Sequence, residues 1–277
     1  MNLSLLILLP LLTALLILLS KNLAQIRVIG LAGSLVQLGV AGWLLKLFMD
    51  QRAAGNTATY LFETNAVWFK ALNINYHIGI DGIALAMILL SALVVVAGIL
   101  VSWTMEKLSK EYFFLLVLLS MGAYGFFISL DLFTLFFFLE VAVIPKFLLI
   151  GIWGSGDKTK SAMKLALMLM AGSALVMVGL FGVYYNTHTF DIVQITQQGI
   201  PAGVQKFFFP FAFLGFGVFA ALFPFHTWVP DGHASAPTAA SMFLAGISMK
   251  LGGYGCLRIA ALMADAAHTY SWIIILL

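Results

Sequence analysis

With 62% of its 277 residues hydrophobic and only 9% charged, this chain lies far from the roughly 25% charged residues of soluble domains, and a soluble fold is excluded. Apolar runs near the ~20 residues that span a bilayer recur along its whole length, which makes it a polytopic membrane protein. The net charge of +3 carries no nucleic-acid meaning, because no basic patch interleaved with aromatics occurs, and the single Cys256 excludes a disulfide framework within the chain and any multi-cysteine zinc or iron–sulfur site.

The first run, MNLSLLILLPLLTALLILLSKN, has neither a positive leading region nor a small-residue cleavage site. It reads as a retained first helix and not as a cleaved signal peptide. Apolar segments follow at 26–49, 83–103, 112–130, 132–153, 162–185, 207–226 and 236–263. A last one begins at 269 and stops at Leu277, which is too short to cross a membrane and leads us to expect a truncated chain. The expected fold class is all-α: a transmembrane helix bundle of about eight complete helices plus a truncated ninth, with a broken helix at 7/8. Residues 50–82 show alternation suggesting a hairpin on the membrane surface, and 186–206 suit a short interfacial helix.

Orientation follows from the short loops. Lys21 and Arg27, Lys107 and Lys110, and Lys158 and Lys160 fall in odd-numbered loops, whereas Arg52, Lys70 and Lys206 are spread over the longer alternate ones. Odd loops are therefore expected inside and the N-terminus outside.

Charges within the apolar runs are the chemical signal. An ionised side chain at the bilayer centre costs roughly 2.5–3.5 kcal/mol on insertion scales, so it persists only facing the bundle interior, water or a partner. Glu140 and Lys146 in the fifth segment and Lys250 in the eighth meet that description, while Lys46 and Lys164 lie near helix ends and can snorkel. Six residues of helix place Glu140 and Lys146 about 120° apart, not on one face, and Pro145 can kink the helix between them. Two separate roles are expected: Glu140 inward, Lys146 docking or snorkelling. Around Lys250, Gly246, Gly252, Gly253 and Gly255 permit close helix packing that would keep the ammonium off lipid.

The stretch FPFHTWVPDGHASAPTAAS (223–241) brings Pro224, Pro230 and Pro237 together with His226, Asp231 and His233. A continuous helix does not tolerate this, and broken backbone at membrane depth lines protein interior or a watery cavity. A metal reading of the two histidines and the aspartate is disfavoured, since Asp231 and His233 straddle a Pro–Asp–Gly turn without helical ligand spacing.

Together, YHIGIDGIAL (76–85), FFFLEVAVIPKFLLIGIWG (136–154) and PFHTWVPDGHASAPTAASMFLAGISMKLGGYGCLR (224–258) resemble the subunit M (chain 4) family of proton-pumping NADH–quinone oxidoreductase, respiratory complex I. The resemblance covers essentially the whole chain and a little over half of a family member's length. It implies fourteen helices with two inverted five-helix repeats. On that pattern 1–111 holds helices 1–3 with outer loop 50–82, 112–263 the first repeat, and 264–277 the truncated start of the second. By motif Glu140 matches the helix-5 glutamate and Lys250 the central helix-8 lysine, the residues expected to carry protons. His226 and His233 match histidines that help hydrate the route, and Asp231 and Lys146 are supporting candidates.

The resemblance further implies no redox cofactor in this chain, with NADH, FMN, iron–sulfur clusters and quinone in partner subunits. Expected partners are chain 2- and chain 5-like antiporter subunits and the lipid of a bacterial inner membrane, with no nucleic acid. The pattern is broken at Phe219, where the family carries a lysine that pairs with the helix-5 glutamate. Lys146 is a candidate substitute cation. The leading expectation is a redox-driven proton-translocating subunit; the alternatives are a Na⁺ or K⁺/H⁺ antiporter subunit without redox drive and a structural membrane subunit.

Overall fold

The computed structural model describes all residues, 1–277. Apolar sequence leaves backbone amides nothing to bond but their own segment, so helices dominate at bilayer depth. They run α1 (Leu5–Leu19), α2 (Leu23–Ala53), α3 (Gly82–Val101), α4 (Ser109–Ile128), α5 (Leu132–Trp153), α6 (Lys158–Thr187), α7 (Ile192–Gln198) and α8 (Ala202–Ala220). Three begin with an aspartate whose carboxylate accepts from first-turn amides: Asp81 from Ala84, Asp131 from Phe133 and Thr134, and Asp191 from Val193 and Gln194. Such caps satisfy donors that the helix itself cannot.

Two expectations are corrected. The chain is not purely helical, because β1 (Leu61–Phe69) pairs antiparallel with β2 (Ile74–Ile80), with Asn65 opposite His77 and Ala66 opposite Tyr76. This is the hairpin whose alternation shows in 50–82. Nor are there eight complete spans: six helical segments are long and apolar enough to cross a bilayer, namely α2 to α6 and the segment starting at Ala202. At 15 residues α1 is shorter, and the eighth expected span is divided. α9 (Trp228–Ser235) precedes it, and it consists of α10 (Thr238–Phe243), a π-helical turn at 244–248 and α11 (Met249–Leu262), followed by α12 (Ala264–Thr269) and α13 (Ser271–Leu276).

The loops sort onto two sides as an alternating bundle requires. On one side Arg27 donates to the Met105 carbonyl, Trp153 to that of Lys107, and Ser155 to that of Ser235. On the other, Leu130 donates to the His77 carbonyl, Asp131 bridges to Asp191, Asn73 donates to His188, and Tyr76 reaches Ser4 near the N-terminus. The basic loops thus share one side and the hairpin, α7 and the N-terminus share the other.

Glycines set the closest helix approaches. A Cβ at Gly172 of α6 would stand 3.0 Å from the Gly215 carbonyl of α8 and 3.3 Å from the Phe219 ring. One at Gly252 of α11 would overlap the Ala220 backbone amide at the end of α8. Leucine, valine and tryptophan side chains on the outer faces of α1, α2 and α6 stay exposed, the surface a lipid phase demands.

Candidate functional site

In α5 the run of phenylalanine and leucine is interrupted by Glu140, which is partly buried and accepts a hydrogen bond from the Ser173 hydroxyl of α6. The helix continues unbroken through Pro145, so the possible kink is not needed to direct the two charges apart. Lys146 is 2% exposed, its Nζ meets no protein acceptor, and it stands over the Phe219 ring of α8 at 5.8 Å from the centroid. Glu140 therefore addresses α6 and Lys146 addresses α8. Those two helices touch where Gly172, next to Ser173, meets Phe219. Both charges consequently enter one seam.

The seam adjoins Lys250. Ala220, the neighbour of Phe219, lines a cleft of about 350 Å³ together with Met87, Met249, Tyr254 and Lys250. The glycine packing that would keep the Lys250 ammonium off lipid does not cover it: Lys250 is exposed to this cleft, with Gly253 open beside it, while Gly252 and Gly255 press against α8. Its Nζ donates to the Ala245 carbonyl at 2.7 Å, within the π-helical turn. A π-turn shifts carbonyls out of the regular ladder, which suits one to a side-chain donor.

The broken segment lies on the basic side. Pro224 occupies the turn after α8 and Pro237 precedes α10, so both interrupt the helix as expected. Pro230 does not: it sits in the first turn of α9, where its missing N–H is one the helix leaves unbonded anyway. The Trp228 indole donates to the Val218 carbonyl at 2.9 Å and fixes α9 against α8. His226 is exposed and stacks on Phe223, Asp231 is exposed in an ion pair with Lys164 at 2.7 Å, and His233 meets the Ser241 hydroxyl at 2.6 Å. The three side chains point to different partners.

Sequence reading did not single out Ser173, nor the polar group on the hairpin side. There the Arg258 guanidinium at the end of α11 pairs with Asp81 at 2.7 Å and lies over the rings of Tyr254 and Tyr60. His77 of β2 is held between Asp191 at 2.7 Å and Glu63 at 3.3 Å. Burial disfavours the imidazolium, but the two carboxylates outweigh it and hold His77 above its ordinary range. Burial likewise opposes the Asp191 carboxylate, which His77 and the α7 amides nevertheless hold below its ordinary range. A lone serine in an apolar helix and single charges in distant loops carry no local signal of their partners.

The family model described as NADH:quinone oxidoreductase/Mrp antiporter, transmembrane, matches residues 129–277, more than half of the chain. The NADH-quinone oxidoreductase subunit M of Rickettsia prowazekii is 35% identical over 204 residues, 73% of this chain and 42% of its own. The NADH-ubiquinone oxidoreductase chain 4 of Marchantia polymorpha is 35% identical over 271 residues, 97% of this chain and 54% of its own. The chain thus spans about half the length of these relatives. Among solved structures, a chain of the membrane-bound sulfane sulfur reductase, an archaeal respiratory membrane complex, superposes with TM-score 0.84 at 25% identity, over 99% of this chain and 56% of that one. A chain of respiratory complex I from Thermus thermophilus gives 0.84 at 22% identity, over 98% and 55%. A chain of the Mrp complex from Dietzia sp. gives 0.81 at 21%, over 98% and 50%. The last two likenesses speak for the fold alone.

Proposed function

This multi-pass membrane chain belongs to the NADH:quinone oxidoreductase/Mrp antiporter transmembrane family, and on that premise we propose that it is a proton-translocating membrane subunit of a complex I-type NADH–quinone oxidoreductase. One observation carries the reading: Glu140, a carboxylate in the apolar interior of α5, is hydrogen-bonded to Ser173 within a seam that leads to the cleft of Lys250. A carboxylate at that depth is retained against a cost of roughly 2.5–3.5 kcal/mol. A group that gains and loses a proton there is a reason to retain it.

Protons pass along Glu140, the seam and Lys250, since a change of charge on one group alters the proton affinity of the next. His226 and His233 hydrate the basic-side entrance beside the broken segment. Residues 112–263 act as the first antiporter-like repeat, 1–111 as the preceding helices, and 264–277 as the beginning of a second. Electron transfer, with its NADH, FMN, iron–sulfur clusters and quinone, takes place in partner subunits, and this chain holds no redox cofactor. Neighbouring chain 2- and chain 5-like subunits flank it in a bacterial inner membrane, with the hairpin side and the N-terminus outward.

The test is Glu140→Gln in the assembled complex, with proton uptake followed during electron transfer. Translocation falls at least about tenfold if a proton must reside on this carboxylate; translocation at the wild-type rate overturns the reading.

A second reading is supported by the family's own description and by the fold match to the Mrp complex: exchange of Na⁺ or K⁺ for H⁺ without redox drive. It predicts cation exchange in vesicles given only an imposed pH gradient and no NADH.

A further inference from the structure

We propose that Lys146 is the cation that balances Glu140, seated on the ring of Phe219, and that the two charges act as one unit in the seam between α5, α6 and α8; this rests on the proton-translocating reading above.

A lysine in an apolar helix ordinarily extends its stem to the bilayer surface or finds a carboxylate or carbonyl. Lys146 does neither. Its side chain is buried inside the bundle and none of its three donors reaches a protein acceptor. What it meets is an aromatic face, with Phe219 at 5.8 Å. Such a face attracts a cation without neutralising it or accepting its protons.

Glu140 is held in a similar way, by a neutral hydroxyl and by no contact ion pair. Glu140 and Lys146 are the only charged residues of α5. Separated by six residues, they point about 120° apart along their own helix. The packing of α6 on α8 brings their two partners into one seam, because Gly172, next to Ser173, meets the Phe219 ring. A contact salt bridge would lock both charges, and breaking a buried one is costly. Two charges held separately by neutral groups remain coupled and free to respond when one of them changes its proton. The flexible four-carbon stem of lysine suits that role.

The experiment uses membrane vesicles carrying the native complex, with assembly followed on native gels and proton translocation per electron followed with a pH-sensitive dye. Four variants are compared: Lys146→Met, Lys146→Arg, Lys146→Met with Phe219→Lys, and Glu140→Gln. Lys146→Met is expected to lower translocation about tenfold, within the range of an ordinary coupling between two sites. Lys146→Arg retains most of the activity. The relocated lysine at 219 recovers a substantial fraction, because its ammonium re-enters the same seam from α8.

Wild-type translocation by Lys146→Met overturns the proposal. So does a loss that neither Arg nor the relocated lysine recovers, which marks Lys146 as a helix-docking residue. Should Lys146→Met fail to assemble, the relocated variant decides: translocation by it supports the pairing, and assembly without translocation refutes it. Glu140→Gln separates the two levels. If it also translocates normally, the proposed function fails; if it is inactive while Lys146→Met is normal, only the assignment of Lys146 fails.

Discussion

The Lys146 ammonium stands over the Phe219 ring, 5.8 Å from its centroid, and joins the middle of α5 to the last turn of α8. The contact makes Phe219 more than a packing residue. A desolvated cation–π pair contributes up to about 2 kcal/mol, and truncating a buried phenylalanine adds a cavity cost.

Phe219→Leu is therefore expected to destabilise the protein in detergent by about 2–3 kcal/mol, whereas Phe219→Tyr preserves most of the stability. Thermal unfolding of the two purified variants checks this. Equal losses in both would show that the ring face is not what holds the ammonium.

The glycines beside Lys250 separate by contact. At Gly252 an added Cβ would overlap the Ala220 amide, while at Gly253 it meets nothing within 4 Å. Gly252→Ala is expected to cost about 1–3 kcal/mol by forcing α11 off α8, and Gly253→Ala to be neutral or slightly stabilising through helix propensity. Comparing the melting temperatures of the two variants tests the packing directly.

The Asp81–Arg258 pair ties the start of α3 to the end of α11 in a largely buried setting. Removing one partner leaves an uncompensated charge, so Arg258→Met is expected to destabilise by about 3–5 kcal/mol. Asp81→Asn with Arg258→Met loses less than Arg258→Met alone, because no lone charge remains. A double-mutant cycle on thermal stability measures the coupling, and strict additivity would contradict the pairing.

The hairpin dock is pH-dependent in two directions. Because the folded state raises the His77 value above its ordinary 6.5, the stabilisation is complete below that ordinary value and is lost as pH climbs through the raised one. Asp191 is depressed below its ordinary 3.8, so its contribution is present above 3.8 and disappears as pH falls through the depressed value. Protection of residues 61–80 against hydrogen exchange, taken relative to the intrinsic base-catalysed rate at each pH, is expected to be greatest between 3.8 and 6.5 and to fall on the alkaline side. His77→Gln should remove the alkaline limb; an unchanged limb would place the titrating group elsewhere.

Sequence reading reached the membrane class, the alternation of basic and non-basic loops, the hairpin, the interrupted helix and the two charges within α5, because each depends on composition and spacing within one stretch of chain. It went astray where a local signal has two outcomes. Pro230 looks like a helix breaker, yet a proline in the first turn of α9 forfeits no hydrogen bond. Glycines around Lys250 look alike in sequence, yet Gly246 packs on Val94 of α3, Gly252 and Gly255 pack on α8, Gly253 is open, and the lysine faces an open cleft. Above all, the helical angle that parts Glu140 from Lys146 is correct as local geometry and says nothing about where each side chain ends. That was decided by the rotation and approach of α6 and α8, which meet at Gly172 and bring Ser173 and Phe219 into one seam. Periodicity determines which face of a helix a residue occupies; only the packing of helices distant in sequence determines what that face meets.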